Sequence, residues 1–191
     1  MGFLINRTQE WAFIHIPKTG GTSLTNILNN IDNTEIISVH DSIRVLDVEN
    51  YFIFTIVRNP FTRLVSAYTH RVRKDEFKYD FQSFIKNYDE NHLDTLPQSY
   101  YINEGASEKK KISCILRYEK YEEDVKDLLK KLNYNSDIPH LNRNPIYDKH
   151  PNLNQEKYYS AFYTEDWMIE LVRERYKNDF KIFNYGMDLP R

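Results

Sequence analysis

Between Pro17 and Ser23 the chain reads Pro-Lys-Thr-Gly-Gly-Thr-Ser, which gathers one ammonium, three hydroxyls and two adjacent glycines into seven residues. Backbone N–H groups of such a loop, backed by the positive end of a following helix, make a nest for a doubly charged oxyanion. Lys18 adds a mobile point charge, the Thr19 hydroxyl and the Gly20-Gly21 backbone complete the nest, and Thr22 and Ser23 add hydroxyls in the first helical turn. The order of residues excludes a Walker A loop, in which the lysine follows the last glycine; here Lys18 precedes both.

A second candidate anion site lies in Arg58-Asn59-Pro60-Phe61-Thr62-Arg63-Leu64-Val65-Ser66. An arginine fork with a hydroxyl nearby suits a terminal phosphate. Arg58 also stands at the end of a strand pattern where a Walker B strand would present an aspartate to magnesium. The chemistry these residues suit is an anion held by protein cations, with no metal: no His/Asp/Glu cluster has ligand spacing.

The elements that must position these groups follow from periodicity. Trp11 to Ile16 is a short apolar run, and Thr22 to Ile31 carries Leu24, Ile27, Leu28 and Ile31 at helical spacing, so the first motif joins a strand to a helix. Glu35 to Val39 predicts a second strand, Tyr51 to Val57 a third and Lys111 to Tyr118 a fourth. Asn59 as N-cap and Pro60 at the first helical position open a helix whose buried stripe is Phe61, Leu64, Val65, Tyr68 and Val72. Further helices are expected over Asp80 to Tyr88, over Tyr121 to Leu132, and from a Thr164 cap to about Asn178. Asn133 to Asn154, dense in Asn, Pro and Asp, reads as a long functional loop. Alternation of strands and helices predicts a parallel sheet with the carboxyl ends of these strands along one edge. The Pro17–Ser23 loop, His40 and Arg58 each follow a strand at that edge, where open α/β sheets bind ligands.

Composition narrows the field. The 191 residues fit one domain, residues 1–191, and 40% hydrophobic content supports a core without disulfides. A net charge of −2 with interspersed signs argues against nucleic acid as partner. One cysteine, Cys114, points to a reducing compartment, and the longest apolar run, Tyr51 to Val57, falls far short of the roughly 18 residues of a membrane span. The start has neither a secretory pattern nor a myristoylation signal, since Asn6 stands where Ser or Thr is wanted. The expectation is a soluble, cytoplasmic protein. Glycine is scarce, five in all against roughly 13 at average usage of about 7%, and two of the five sit in the one loop.

Two oxyanion sites along one sheet edge suit a ligand with phosphates at both ends, and here the chain resembles the sulfotransferases. Phe13-Ile14-His15-Ile16-Pro17-Lys18-Thr19-Gly20-Gly21-Thr22-Ser23-Leu24 is similar to their 5′-phosphosulfate loop. Phe54-Thr55-Ile56-Val57-Arg58-Asn59-Pro60 through Arg63 and Ser66-Ala67-Tyr68 is similar to their 3′-phosphate motif. Leu116-Arg117-Tyr118-Glu119, Pro139-His140-Leu141-Asn142 and the stretch from Tyr176 to Tyr185 extend the likeness. The resemblance implies a P-loop-like, three-layer α/β/α fold with a central, mainly parallel sheet, and 3′-phosphoadenosine-5′-phosphosulfate (PAPS) as sulfuryl donor. Lys18 would neutralise the leaving phosphate, Thr19 to Thr22 would hold the 5′-phosphate, Ser23 would sit close to Lys18, and Arg58 with Ser66 would hold the 3′-phosphate.

The carbohydrate branch matches best, because no late Arg-Lys-Gly triplet is present, while the membrane anchor and cysteines of Golgi members are missing. The acceptor is expected to be a carbohydrate or small-molecule hydroxyl. A base with a pKa near neutral must take its proton, which suits histidine at about 6.5. His40, directly after the second strand, is the candidate, as in similar carbohydrate enzymes; His15 reads as a packed core residue and His70 as an outward or packing one. Tyr100-Tyr101 and Tyr158-Tyr159 are candidates for lining an acceptor cleft. A kinase-like phosphotransferase and a non-catalytic nucleotide-binding module remain as alternatives.

Overall fold

A computed structural model describes residues 2–38, 43, 48–87, 92–103, 111–138 and 155–190. His40, His140, Gly105 and most of the Asn133–Asn154 loop lie outside the described residues. The chain divides into two compact units interleaved in sequence, Met1–Val57 with Gln98–Arg143 and Arg58–Pro97 with Asn144–Arg191.

The first unit is built on a five-stranded sheet in the order β3-β1-β2-β4-β5. The strands are β1 (Phe3–Asn6), β2 (Trp11–Ile14), β3 (Thr34–Ser38), β4 (Phe52–Val57) and β5 (Ile112–Arg117). β2, β4 and β5 form two parallel ladders, while β1 runs antiparallel to both β2 and β3. The four strands expected from sequence therefore share one direction, and their carboxyl ends do lie on one edge. The sheet is parallel at its centre, as the mainly parallel expectation has it, and the exception is β1, a short apolar run before Arg7-Thr8-Gln9-Glu10 that turns straight back into β2. Such a hairpin needs no crossover helix, so it left no alternating pattern to read.

Both faces of the central strands are buried, as a parallel sheet requires. One face carries Trp11, Phe13, Phe54, Ile56 and Leu116 in a cluster with Leu24 and Leu28 of α1 (Gly21–Leu28) and Val125, Leu128 and Leu129 of α5 (Tyr121–Lys131). Its rings form a continuous row: Phe54 lies 5.7 Å from Trp11, 5.5 Å from Phe13 and 5.6 Å from Phe52. The row ends on His15, whose imidazole stacks on Phe13 at 5.8 Å and 16°. At the strand ends, Thr55 Oγ1 donates to the Ile14 carbonyl at 2.8 Å and ties the exits of β2 and β4 together.

The second unit is helical: α2 (Pro60–Arg73), α3 (Phe81–Asn87), α6 (Gln155–Ser160), α7 (Asp166–Arg175) and α8 (Lys177–Ile182), while α4 (Gln98–Asn103) belongs to the first. Its core joins Phe61, Leu64 and Val65 to Phe84, Tyr163, Met168, Val172 and Phe180, and Tyr163 Oη donates to the Phe61 carbonyl at 2.8 Å. The Asn59 cap stands as expected, its side chain accepting from Phe61 N at 2.9 Å with Pro60 in the first turn.

Two expectations need correction. Val72 is 42% exposed and not part of the α2 stripe, because the apolar face has rotated away by the last turn. The expected helix from Thr164 to Asn178 is two helices: Glu165, not Thr164, is the N-cap, Thr164 Oγ1 being occupied by Gln82 and Met168, and the chain breaks at Tyr176 (φ −107°, ψ 21°).

These packing differences predict opposite tolerances. Phe54→Ala should cost about 3–5 kcal/mol in denaturant unfolding, whereas Val72→Lys should stay within about 0.5 kcal/mol of the parent.

Candidate functional site

Residues Pro17 to Gly20 connect β2 to α1 within the first unit. Lys18 has φ +67° and Gly20, the helix N-cap, has φ +87°, so the backbone enters the left-handed region twice in three residues. For lysine that conformation carries a cost of roughly 1–2 kcal/mol, which a tertiary frame has to offset. Thr19 is buried and its hydroxyl donates to the Ile16 carbonyl at 2.8 Å, closing the turn beneath Lys18. Ser23 N donates to the Gly20 carbonyl at 3.2 Å and starts the helix.

Gly21 has no room for a side chain, and at Gly20 a side chain would be both tight and strained by the positive φ. A Cβ on Gly21 would lie 2.2 Å from Cδ2 of His15, and one on Gly20 would lie 3.0 Å from the Tyr118 ring and 3.4 Å from that of Tyr121. The buried imidazole at the end of the aromatic row thus sits directly against the first helical residue. His15 is the packed core residue expected, with the added role of setting how closely that residue approaches β2.

Tyr118 follows β5 in a short 3-10 turn, Tyr118–Lys120, and Tyr121 opens α5. The Arg117 amide donates to Asp124 Oδ2 at 2.7 Å, which fixes this turn against the helix. Burial pushes the Tyr121 phenol up to about 12. Ser23 is 4% exposed. Lys18, Gly20 and Thr22 are half-buried along the loop.

In the second unit Arg58, the residue after β4, is 3% exposed. Its Nε donates to Thr62 Oγ1 at 3.0 Å, and the guanidinium lies 4.8 Å over the Tyr159 ring. Thr62 and Ser66 are four residues apart on α2 and so share a face, which places the Arg58 anchor and the half-buried Ser66 along one stripe. Arg63, also buried, reaches the Leu96 carbonyl at 2.8 Å.

Sequence reading gave no role to Thr62 or Tyr121, placed Tyr118 only in a stretch of family likeness, and put Tyr159 in an acceptor cleft and not beside Arg58. Thr62 carried a signal, its position four residues after Arg58 in an open helix turn. The tyrosines carried none beyond their type, because their roles depend on tertiary placement. Of the acceptor-cleft candidates, Tyr101 is fully buried and Tyr159 packs beneath the Arg58 guanidinium. His70 Nδ1 pairs with Arg73 Nη2 at 3.2 Å on the surface of α2. Among the described residues no group of His, Cys, Asp or Glu could hold a metal ion, and no helix is long and apolar enough to cross a membrane.

The model of the sulfotransferase family matches residues 1–186, which takes in both the glycine loop and the Arg58 segment. The chain belongs to the sulfotransferase family. No curated protein and no solved structure gives a significant match. For this sulfotransferase the activity is sulfuryl transfer, and the mixed α/β sheet flanked by helices agrees with that family.

The His15 contact yields a coupled prediction. Gly21→Ala should destabilise the sulfotransferase by about 1–3 kcal/mol through overpacking. Combining it with His15→Ala should cost less than the sum of the two single changes, read as a double-mutant cycle in urea. Strict additivity would mean that the two residues do not press on one another.

Proposed function

We propose that this sulfotransferase uses PAPS and transfers its sulfuryl group to an acceptor hydroxyl, on a carbohydrate or small metabolite, as a single functional domain over residues 1–191. The observation that carries the reading is the loop after β2: a lysine and a glycine in the left-handed region, followed by a helix start where a Cβ would collide. A backbone held in this way leaves main-chain N–H groups, and not side chains, to line the approach of an anion. The match to the family across both interleaved units supports the single-domain reading. The single cysteine supports a cytoplasmic setting.

In this reading the Lys18–Ser23 loop holds the 5′-phosphosulfate and Arg58 with Ser66 holds the 3′-phosphate. Bound PAPS supplies a sulfuryl group activated by a phosphate leaving group. Lys18 neutralises the charge that builds on the bridging oxygen as the sulfur–oxygen bond breaks. The loop amides and Thr22 keep the 5′ end aligned for in-line displacement. Arg58, held by Thr62 and by the Tyr159 ring, is the guanidinium assigned to the 3′-phosphate. His40 takes the acceptor proton as the new sulfur–oxygen bond forms. Charge neutralisation is assigned to protein cations, so the reaction runs without a metal.

Thermal shift separates this reading from a phosphotransferase. Adenosine 3′,5′-bisphosphate at 100 times its dissociation constant should stabilise the chain by about 2.7 kcal/mol, a rise in Tm of roughly 5–10 °C. Protection by ATP with magnesium and not by the bisphosphate would overturn the assignment.

His40→Ala should keep that protection and lose about 10²–10⁴-fold in transfer of labelled sulfate. Full activity in that variant would remove His40 as the base. Lys18→Asn, which relieves the positive φ at little steric cost, should match or exceed parental stability while losing about 10²–10³-fold in turnover.

A further inference from the structure

We propose that Arg71, on α2, anchors a further binding site in the helical unit, one that takes an organic carboxylate carried on a ring. The site is separate from both phosphate assignments and does not depend on them.

Arg71 is half-buried, and its Nε and Nη2 are covered from solvent with no hydrogen-bond partner among the described residues. Its guanidinium lies 5.6 Å from the centroid of the Phe84 ring, a contact that answers the charge and leaves the N–H pair unmet. The nearest carboxylates along the chain are engaged elsewhere. Asp75 Oδ1 faces Lys78 Nζ at 3.6 Å, Glu76 Oε1 faces Lys74 Nζ at 3.8 Å, and Asp80 Oδ1 accepts from Ser83 N at 2.8 Å. Arg73, in the same last turn of α2, has His70 Nδ1 at 3.2 Å. A cation in that turn suits the helix dipole, which accounts for the charge of Arg71. The dipole does not account for an Nε–Nη2 edge turned away from water, where unmet N–H groups of a charged side chain are costly.

That edge is one a carboxylate meets with two parallel N–H···O bonds. The ring beneath the guanidinium belongs to an aromatic group: Phe77 and Tyr68 lie 5.4 and 5.5 Å from Phe84. Tyr79, 70% exposed, lies 5.6 Å from Phe77 at the rim, and Tyr68 Oη donates to its carbonyl at 3.1 Å. A free inorganic oxyanion would fill the fork and leave these rings unused. A carboxylate on a ring uses both, its oxygens on the fork and its body against the aromatic faces.

The experiment is thermal unfolding of the intact chain in chloride buffer, with benzoate as probe and benzamide as its uncharged counterpart, for the parent, Arg71→Met and Arg71→Lys. Benzoate at about four times its dissociation constant should raise the parental Tm by about 2–4 °C, and benzamide by less than about 1 °C. The rise should persist when adenosine 3′,5′-bisphosphate is also present at saturation. Arg71→Met keeps an apolar stem for Phe84 and removes the unmet N–H pair, so its Tm without ligand should equal or exceed the parent's, and benzoate should no longer move it. Arg71→Lys keeps the charge without the fork and should retain less than about half of the rise.

A lower Tm for ligand-free Arg71→Met would mean that the guanidinium serves the fold, and would overturn the proposal. So would equal responses to benzoate and benzamide, a rise that Arg71→Met keeps, or no rise in the parent. If Arg71→Met does not fold, Arg71→Lys decides, and a full rise in that variant overturns the site. Loss of the rise under the bisphosphate would place benzoate in the donor site and overturn the proposal as well. A parent that fails to bind the bisphosphate while keeping the benzoate response would contradict the donor assignment and leave the Arg71 site standing.

Discussion

The contact between the His15 imidazole and Gly21 is the constraint from which the rest of the loop after β2 follows. It comes at the end of a row of rings, Trp11, Phe54 and Phe13, that the sheet core holds at van der Waals spacing. With His15 fixed there, the first residue of α1 has no choice but glycine. The tyrosines after β5 close in from another direction on Gly20. The loop is therefore clamped at two successive residues by His15 just after β2, Tyr118 just after β5 and Tyr121 at the start of α5. That clamp offsets the conformational cost of a lysine at positive φ. A loop free to relax would not present its amides in a fixed array, and pre-set dipoles are what stabilise developing charge most effectively.

The second motif follows the same logic with different parts. Arg58 is buried, and a buried guanidinium is tolerable only when its donors and its face are engaged. Thr62 takes one N–H and Tyr159 takes the face, which restricts the guanidinium. Thr62 can do this because Asn59 and Pro60 start α2 immediately, putting residue 62 one turn along on the side of residue 58. In both motifs the cation is useful because neighbours with no charge of their own restrict it.

What was legible in the sequence, and what was not, divides along physical lines. The strand–loop–helix frames around Lys18 and Arg58 were readable because they rest on local rules: apolar runs, the Asn-Pro cap and the glycine pair. The hairpin strand β1 was not, since four residues that turn straight back resemble any short apolar stretch. Val72 was misplaced because helical periodicity says which residues share a face but not where the partner surface ends. The break at Tyr176 had no Gly or Pro to announce it. Of the site itself, Lys18, the glycines and Arg58 were legible from type and order. The contacts of Tyr118, Tyr121 and Tyr159 were not, because in a chain with 15 tyrosines only tertiary placement decides which rings meet Gly20 or Arg58.

The central claim is that one donor engages both motifs, the glycine loop at its 5′ end and Arg58 with Ser66 at its 3′ end. The most direct measurement is the calorimetric affinity of the intact chain for adenosine 3′,5′-bisphosphate against adenosine 5′-monophosphate. Hydrogen bonds to a charged group contribute about 1.5–3 kcal/mol, so loss of the 3′-phosphate should weaken binding by roughly 10–100-fold. Equal affinities for the two nucleotides would contradict the account, because Arg58 and Ser66 would then hold nothing at the donor's 3′ end.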